Sequence, residues 1–223
     1  MPKLSESRRF PRYSIQIPLL HRLKIPVSFR SGVGWTRNLS EGGACVELAE
    51  RLSPQMSLFL VLRTDRRSIL AEADVVWAGE SSPARGGIPH GVAFTRIATE
   101  ESRALRDLLR SEGEAGHAAV RLPLELSVTC RRKGEAGSSL QGWTGNISRA
   151  GLLLHLPQAL PPGTELELTL HSVNGPLAAE GTIVWVEASE GRTLAASIRH
   201  GFRFSELGWS ISLSLGLLLT AAQ

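Results

Sequence analysis

The chain has 223 residues, 42% of them hydrophobic, with 25 Lys and Arg against 21 Asp and Glu and a formal net charge of +4. That balance excludes a disordered polar chain, and each half is long enough to bury a core of its own. The only two cysteines, Cys45 and Cys130, lie in different halves at no metal-ligand spacing, and the opening MPKLSESRRFPRY has no apolar run for a secretory signal. A reduced, cytoplasmic setting is expected.

Cations crowd the beginning of the chain: Lys3, Arg8, Arg9, Arg12, Arg22, Lys24, Arg30 and Arg37 precede position 41, where Glu6 is the sole acid. Such crowding points to an anionic partner. Apolar residues then alternate with polar ones through Ile15, Ile17 and Leu19, and again through Leu23, Ile25, Val27 and Phe29. Period two predicts strands with one buried face. The turn motif NLSEGG at 38–43 follows, then LFLVL at 58–62, ADVVW at 73–77 and GVAF at 91–94 as further strands. Segment ATEESRALRDLLRSEG predicts a helix with Thr99 as N-cap, acids in the first turn and Ala104, Leu105, Leu108 and Leu109 on one face. The stretch SEGEAGH at 111–117 reads as a linker.

In the second half Leu122, Leu124, Leu126, Val128 and Cys130 alternate in the same way, and LELTL, TIVW and GFRF match the earlier strands. The end, ELGWSISLSLGLLLTAAQ, alternates apolar residues with Ser and Gly and predicts a strand, so the second half is not expected to repeat the helix. Its uncharged run of 17 residues from Leu207 borders on membrane-spanning length, but serines at every second place argue against a lipid-facing helix.

These matches form one long repeat. Segment GWTRNLSEGGACVEL at 34–48 recurs as GWTGNISRAGLLLHL at 142–156, and Pro54, Leu58, Leu60, Glu72 and Trp77 recur 108 residues on as Pro162, Leu166, Leu168, Glu180 and Trp185. GVAF recurs as GFRF at an offset of 110. The unit is the size of a domain, not of a solenoid repeat. Two tandem domains, 1–112 and 113–223, are expected, each a small antiparallel barrel or sandwich, so the chain is all-β with a short helix.

Asn and Ser side chains can accept hydrogen bonds from backbone NH groups just after them, and Gly supplies a positive φ, so N-x-S-x-x-G builds a tight turn with fixed polar atoms. Alone it signifies only a turn. Here it follows the pair Arg8 and Arg12, spaced R-x-x-x-R, in the most basic part of the chain. With RRFPR at 8–12, NLSEGG at 38–43, the strand ending in Trp77 and HGVAF at 90–94, the sequence resembles the PilZ family, receptors for cyclic di-GMP. NISRAG, Trp185 and HGFRF repeat the last three elements.

That resemblance implies two tandem six-stranded antiparallel barrels with a closing helix. It implies a dinucleotide ligand, no further cofactor, and a site between an N-terminal arginine arm and the barrel surface. Arg8 and Arg12 would take guanine and phosphate with Arg9 assisting, while Asn38, Ser40 and Gly43 would hold the other guanine edge. Arginine has the chemistry for both ligands, since it binds guanine O6 and N7 with two parallel bonds, pairs with phosphate and stacks on purines.

The second half departs from this pattern. Setting Arg121 against Arg12 leaves His117 where Arg8 should be; setting RLKIPVSF at 22–29 against RLPLELSV at 121–128 leaves no arm at all. Either way His117, Arg121, Asn146, Ser148 and Gly151 make at most a degenerate second site, and this domain is expected to serve packing, homodimerisation or a protein partner. No nucleophile motif, H-E-x-x-H, C-x-x-C or glycine-rich phosphate loop occurs, so catalysis and metal binding are not expected. His90 and His200 read as barrel-edge residues. Binding of nucleic acid by a basic barrel is the alternative class, as is a scaffold without ligand. Against the former, aromatics are 5% of the chain and Trp35, Trp77, Trp143 and Trp185 read as structural.

Overall fold

The computed structural model describes residues 10–24, 30–81, 86–113, 119–135, 137, 139–187 and 197–221. The chain divides into two compact units, the first holding residues up to Arg63 and Arg67–Val120, the second holding Thr64–Arg66 and the chain from Arg121.

The first unit is a closed barrel of six antiparallel strands: β1 (Pro18–Leu23), β2 (Ser31–Ser40), β3 (Gly43–Leu48), β4 (Ser57–Arg63), β5 (Ser68–Ala78) and β6 (Ile88–Arg96), ordered β1-β2-β3-β6-β5-β4. Alternation in the sequence becomes alternation in burial: along β4, Leu58, Leu60 and Leu62 point inward while Phe59 and Val61 are only partly covered. Closure leaves no free edge. Ile17, Leu19, Val46, Leu48, Ile69 and Val92 fill the interior from neighbouring strands. Each such side chain contributes about 1.5 to 3 kcal/mol on full burial.

Helix α1 (Thr99–Leu108), continued by a π-helical turn over Leu109–Gly113, closes this barrel. Leu105, Leu108 and Leu109 join the barrel core and Ala104 packs beside it, as the spacing predicts. Thr99 is not the N-cap. That place falls to Ala98, whose extended backbone makes no side-chain cap, and Thr99 is already helical. The first turn is supported by acids instead: Glu100 and Glu101 complement the helix dipole, and Glu101 also accepts from Arg67 and from the backbone NH of Leu70.

The second unit repeats the barrel. Its strands are β7 (Leu122–Pro123), β8 (Ser127–Arg132), β9 (Leu140–Ile147), β10 (Gly151–Leu156), β11 (Glu165–Ser172), β12 (Gly175–Val186) and β13 (Ile198–Phe204). They run in the order β10-β13-β12-β11-β8-β9, with β10 pairing back onto β9 to close the ring and short β7 added on β9.

Here the structure corrects the sequence reading. The end of the chain is not a strand but a second helix, α2 (Trp209–Ala221). Of its five buried residues, Ser212, Leu215, Gly216 and Leu219 fall at i, i+3, i+4 and i+7, one helical stripe that Leu218 flanks. The alternation of Ser with Leu imitated a strand, yet leucine is a strong helix former and only Ile211 and Thr220 are β-branched. Ser214 and Thr220 donate to the carbonyls of Ser210 and Gly216 four residues back, so the helix itself absorbs their hydroxyls. No helix among the described residues is long and apolar enough to cross a membrane.

Candidate functional site

Strands β2 and β3 meet at the turn NLSEGG, where Ser40 faces Gly43 across a two-residue loop. Ser40 is buried, and its hydroxyl donates to the Gly43 carbonyl at 3.0 Å, so it closes the turn as a donor and not as the expected acceptor. Gly43 is required by crowding: a Cβ there would lie 2.2 Å from the Val92 carbonyl oxygen in β6. The Asn38 side chain does not brace the turn. Its Oδ1 is buried without a hydrogen-bond partner, and a buried acceptor left open has an energetic cost that calls for an explanation.

Arg12 lies beside this turn because its segment is strapped to β2. Tyr13 and Leu39 exchange backbone hydrogen bonds, both 2.9 Å, and the Thr36 hydroxyl donates to the Ile15 carbonyl while accepting from the Ile17 NH. Phe10 lies against Gly42, where a Cβ would approach its ring to 2.7 Å. Arg12 itself is exposed. Arg8 and Arg9 lie outside the described residues, as does His117.

Arg37 sits in a β-bulge, since the pairing of β2 with β3 steps from Thr36 opposite Val46 to Asn38 opposite Cys45. Its Nε is 3.5 Å from Oε1 of Glu47, a buried carboxylate, while the guanidinium keeps 36% of its exposure. Burial pushes the Cys45 thiol up in pKa, and the positive charges of Arg37 and Arg12 oppose that rise, with Glu47 adding to it. Two arginines from separate segments therefore act on one spot beside Asn38.

The second barrel has the same backbone. Leu122 pairs with Ile147 as Tyr13 pairs with Leu39, and the Thr144 hydroxyl bridges the Leu124 carbonyl and Leu126 NH as Thr36 bridges Ile15 and Ile17. Arg121 therefore corresponds to Arg12 and His117 to Arg8, and the alternative register of 22–29 against 121–128 is wrong. Ser148 donates to the Gly151 carbonyl at 3.1 Å, a Cβ on Gly151 would lie 2.1 Å from the Phe202 carbonyl oxygen, and Asn146 Oδ1 is again buried without a partner.

Around this shared turn the lining differs. Gly145 stands at the bulge in place of Arg37, with Leu153 and His155 in place of Cys45 and Glu47. A Cβ at Gly145 would lie 2.8 Å from the Leu153 side chain and 3.0 Å from His155 Nε2, and His155 is stacked on Trp143 at 5.3 Å. The space that holds Arg37 in the first barrel is filled in the second.

The model of the PilZ domain family matches residues 6–111 and, again, 118–208. The chain belongs to the PilZ family, in two tandem copies. Among solved structures, it is similar to the PilZ domain with c-di-GMP of YcgR from Escherichia coli, at 18% identity over 49% of this chain and 93% of that one, with a TM-score of 0.42. The Bacillus subtilis inhibitor of motility MotI/DgrA covers 93% of this chain and 94% of its own at 10% identity and a TM-score of 0.37. The MrkH–c-di-GMP complex of K. pneumonia covers 91% and 86% at 11% identity, with a TM-score of 0.37. No curated protein matches the chain.

Two of the sequence elements that carried the PilZ resemblance prove to be packing devices. His90 and His200 are not barrel-edge residues but fully buried members of β6 and β13. Each accepts a backbone NH at Nε2, from Leu52 and Leu160 at 3.0 Å, and each faces a carbonyl at Nδ1, from Ile88 and Ile198 at 2.9 Å. Those partners hold the neutral ring, and burial keeps both pKa values below the ordinary one. Gly91 and Gly201 are glycines because the indoles of Trp77 and Trp185 lie over them, so that a Cβ at either place would come within 2.0 Å of the indole Nε1.

The tryptophans are not uniformly buried either. Trp35 is fully buried, but Trp77, Trp143 and Trp185 are 41%, 40% and 38% exposed. The strands thus carry surface aromatics that the sequence reading did not expect, so their supposed absence is no argument against nucleic acid. Sequence reasoning also passed over Arg37 and Phe10 beside the turn, although GWTRN against GWTGN displays the first in plain view.

Proposed function

We propose that the protein is a cyclic di-GMP receptor that binds the dinucleotide on its first PilZ domain and answers by changing conformation or partner contacts. Arg8 and Arg12 take guanine and phosphate, Arg9 assists, and Asn38, Ser40 and Gly43 hold the other guanine edge. The observation that carries ligand binding is the open acceptor of Asn38 next to the strapped Arg12 segment; Asn146 shares that acceptor, and what favours the first copy is Arg8, where the second has His117. Guanine offers the exocyclic amine that such an acceptor lacks, and its O6 and N7 accept an arginine fork. Two charged contacts and one amide contact fit a dissociation constant of about 1 μM, or roughly −8 kcal/mol.

Ligand binding has a short route to the rest of the first domain. Glu41 of the turn lies 3.9 Å from Arg106 of α1, Tyr13 packs on Gly113 at the end of the π-helical turn, and the Val120 NH approaches the Gln16 carbonyl at 3.4 Å. The segment that meets the ligand is therefore tied to the helix and to the stretch that leads into the second domain. That domain, with His117, Arg121, Asn146, Ser148 and Gly151 as a degenerate site, serves as scaffold, dimer surface or partner contact. The absence of a nucleophile or metal motif supports a receptor over an enzyme, and a cytoplasmic location suits a receptor for an internal second messenger.

Calorimetric titration of the full chain with cyclic di-GMP tests the reading. Wild type should bind in the micromolar range and Arg12→Ala should lose most of that affinity; no heat with the dinucleotide would overturn it. Tighter binding to random single-stranded DNA with a steep salt dependence would favour a nucleic-acid-binding barrel instead.

A further inference from the structure

Arg37 belongs to no motif, yet three observations set it apart. It is displaced from the β2–β3 ladder by the bulge and so stands on the same patch as Asn38 and Cys45. Its ion pair with Glu47 is long at 3.5 Å, and the guanidinium stays partly exposed. Its counterpart in the second barrel is Gly145, at a bulge of the same kind, so the bulge does not exist for the sake of the arginine. What varies between the copies is the charge placed there.

We propose that Arg37 is a further ligand arginine of the first domain, binding a phosphate of the dinucleotide, and that Glu47 holds it in place until ligand arrives. The proposal rests on the receptor reading above and adds to it a specificity-determining residue. Glu47 is buried and opposes an incoming phosphate, so its loose pairing keeps the guanidinium at the surface while the site is empty and releases it to a stronger, charge-assisted contact when ligand binds. The second barrel has lost this device as a set: Gly145 has no charge, Leu153 occupies its space, and His155 stacks on Trp143.

The decisive experiment is titration of the full chain with cyclic di-GMP for wild type, Arg37→Gly and Arg37→Lys, with ligand-free melting curves for each. Arg37→Gly should bind about tenfold to a hundredfold more weakly, the loss of one charged contact. Arg37→Lys should stay within several-fold of wild type, because a phosphate accepts a point charge where a guanine edge would not. A purely structural Arg37 would lower the ligand-free melting temperature without changing the affinity of the folded protein. Wild-type affinity in Arg37→Gly, or equal loss in Gly and Lys, would overturn the proposal while leaving the receptor reading intact. Failure of wild type itself to bind would overturn both.

Discussion

Around the bulge of β2 the first barrel sets Arg37, Cys45 and Glu47; around the bulge of β9 the second sets Gly145, Leu153 and His155. The backbone beneath is shared down to single hydrogen bonds, including the Ser40 and Ser148 hydroxyls on Gly43 and Gly151. The segments ahead differ as well, since Phe10 packs on Gly42 in the first turn while Ala119 and Ala150 stand at the matching places in the second. Residues common to both copies thus report what a barrel needs in order to fold, and residues that differ report where one copy kept a charged, open face and the other closed it.

The largest effects should come from the shared residues. Gly43→Ala and Gly151→Ala each drive a methyl group into a carbonyl about 2 Å away, so each should destabilise its own barrel by about 1 to 3 kcal/mol, read from urea melts. A loss confined to Gly43→Ala would show that the second turn is not the structural equal of the first.

A graft should come next. On an Arg12→Ala background, which silences the first site, the fourfold change His117→Arg, Gly145→Arg, Leu153→Cys and His155→Glu should create binding at roughly tens of micromolar. Gly145→Arg alone should create none, because Leu153 and His155 stand where its side chain must pass. Binding by the single variant would mean that charge, and not the closed space, is what the second copy lacks.

The smallest effect concerns acid. Burial lowers the pKa of His21 and His90 below 6.5, opposed by Glu50 at His21 and by the Ile88 carbonyl and Glu50 at His90, where Arg51 adds to the lowering. The unfolded chain then binds more protons than the folded one, so stability is full above the unfolded value of about 6.5 and falls as pH drops through it toward the folded values. The second barrel has Cys130 in place of His21, each opposite the matching leucines Leu60 and Leu168. Its thiol, pushed up to about 11, stays protonated throughout this range. His21→Cys should therefore reduce the loss of stability as pH falls below about 6.5. An unchanged acid slope would show that His21 is as easily protonated folded as unfolded.

Much of this was legible from letters alone. The strands declared themselves because each buries one face, and the repeat revealed two copies because the strands from β8 to β13 each have a first-copy counterpart. The C-terminal helix was hidden because its serines fell at strand period while their hydroxyls could be satisfied within a helix. Thr99 looked like a cap because the sequence cannot reveal that Ala98 already provides the extended residue. His90 and His200 were misplaced for a related reason: their partners, the NH groups of Leu52 and Leu160, come from distant loops. Arg37 was visible as a letter but not as a site residue, since only the bulge turns it toward Asn38 and Cys45.

The central claim is that ligand recognition belongs to the first copy. Its most direct test is one matched pair of titrations with cyclic di-GMP, Arg12→Ala against Arg121→Ala, two residues that the strand pairing places in corresponding positions. The account predicts about a tenfold to hundredfold loss for Arg12→Ala, one charged contact, and wild-type affinity for Arg121→Ala. Equal losses in the two variants, or a loss confined to Arg121→Ala, would contradict it.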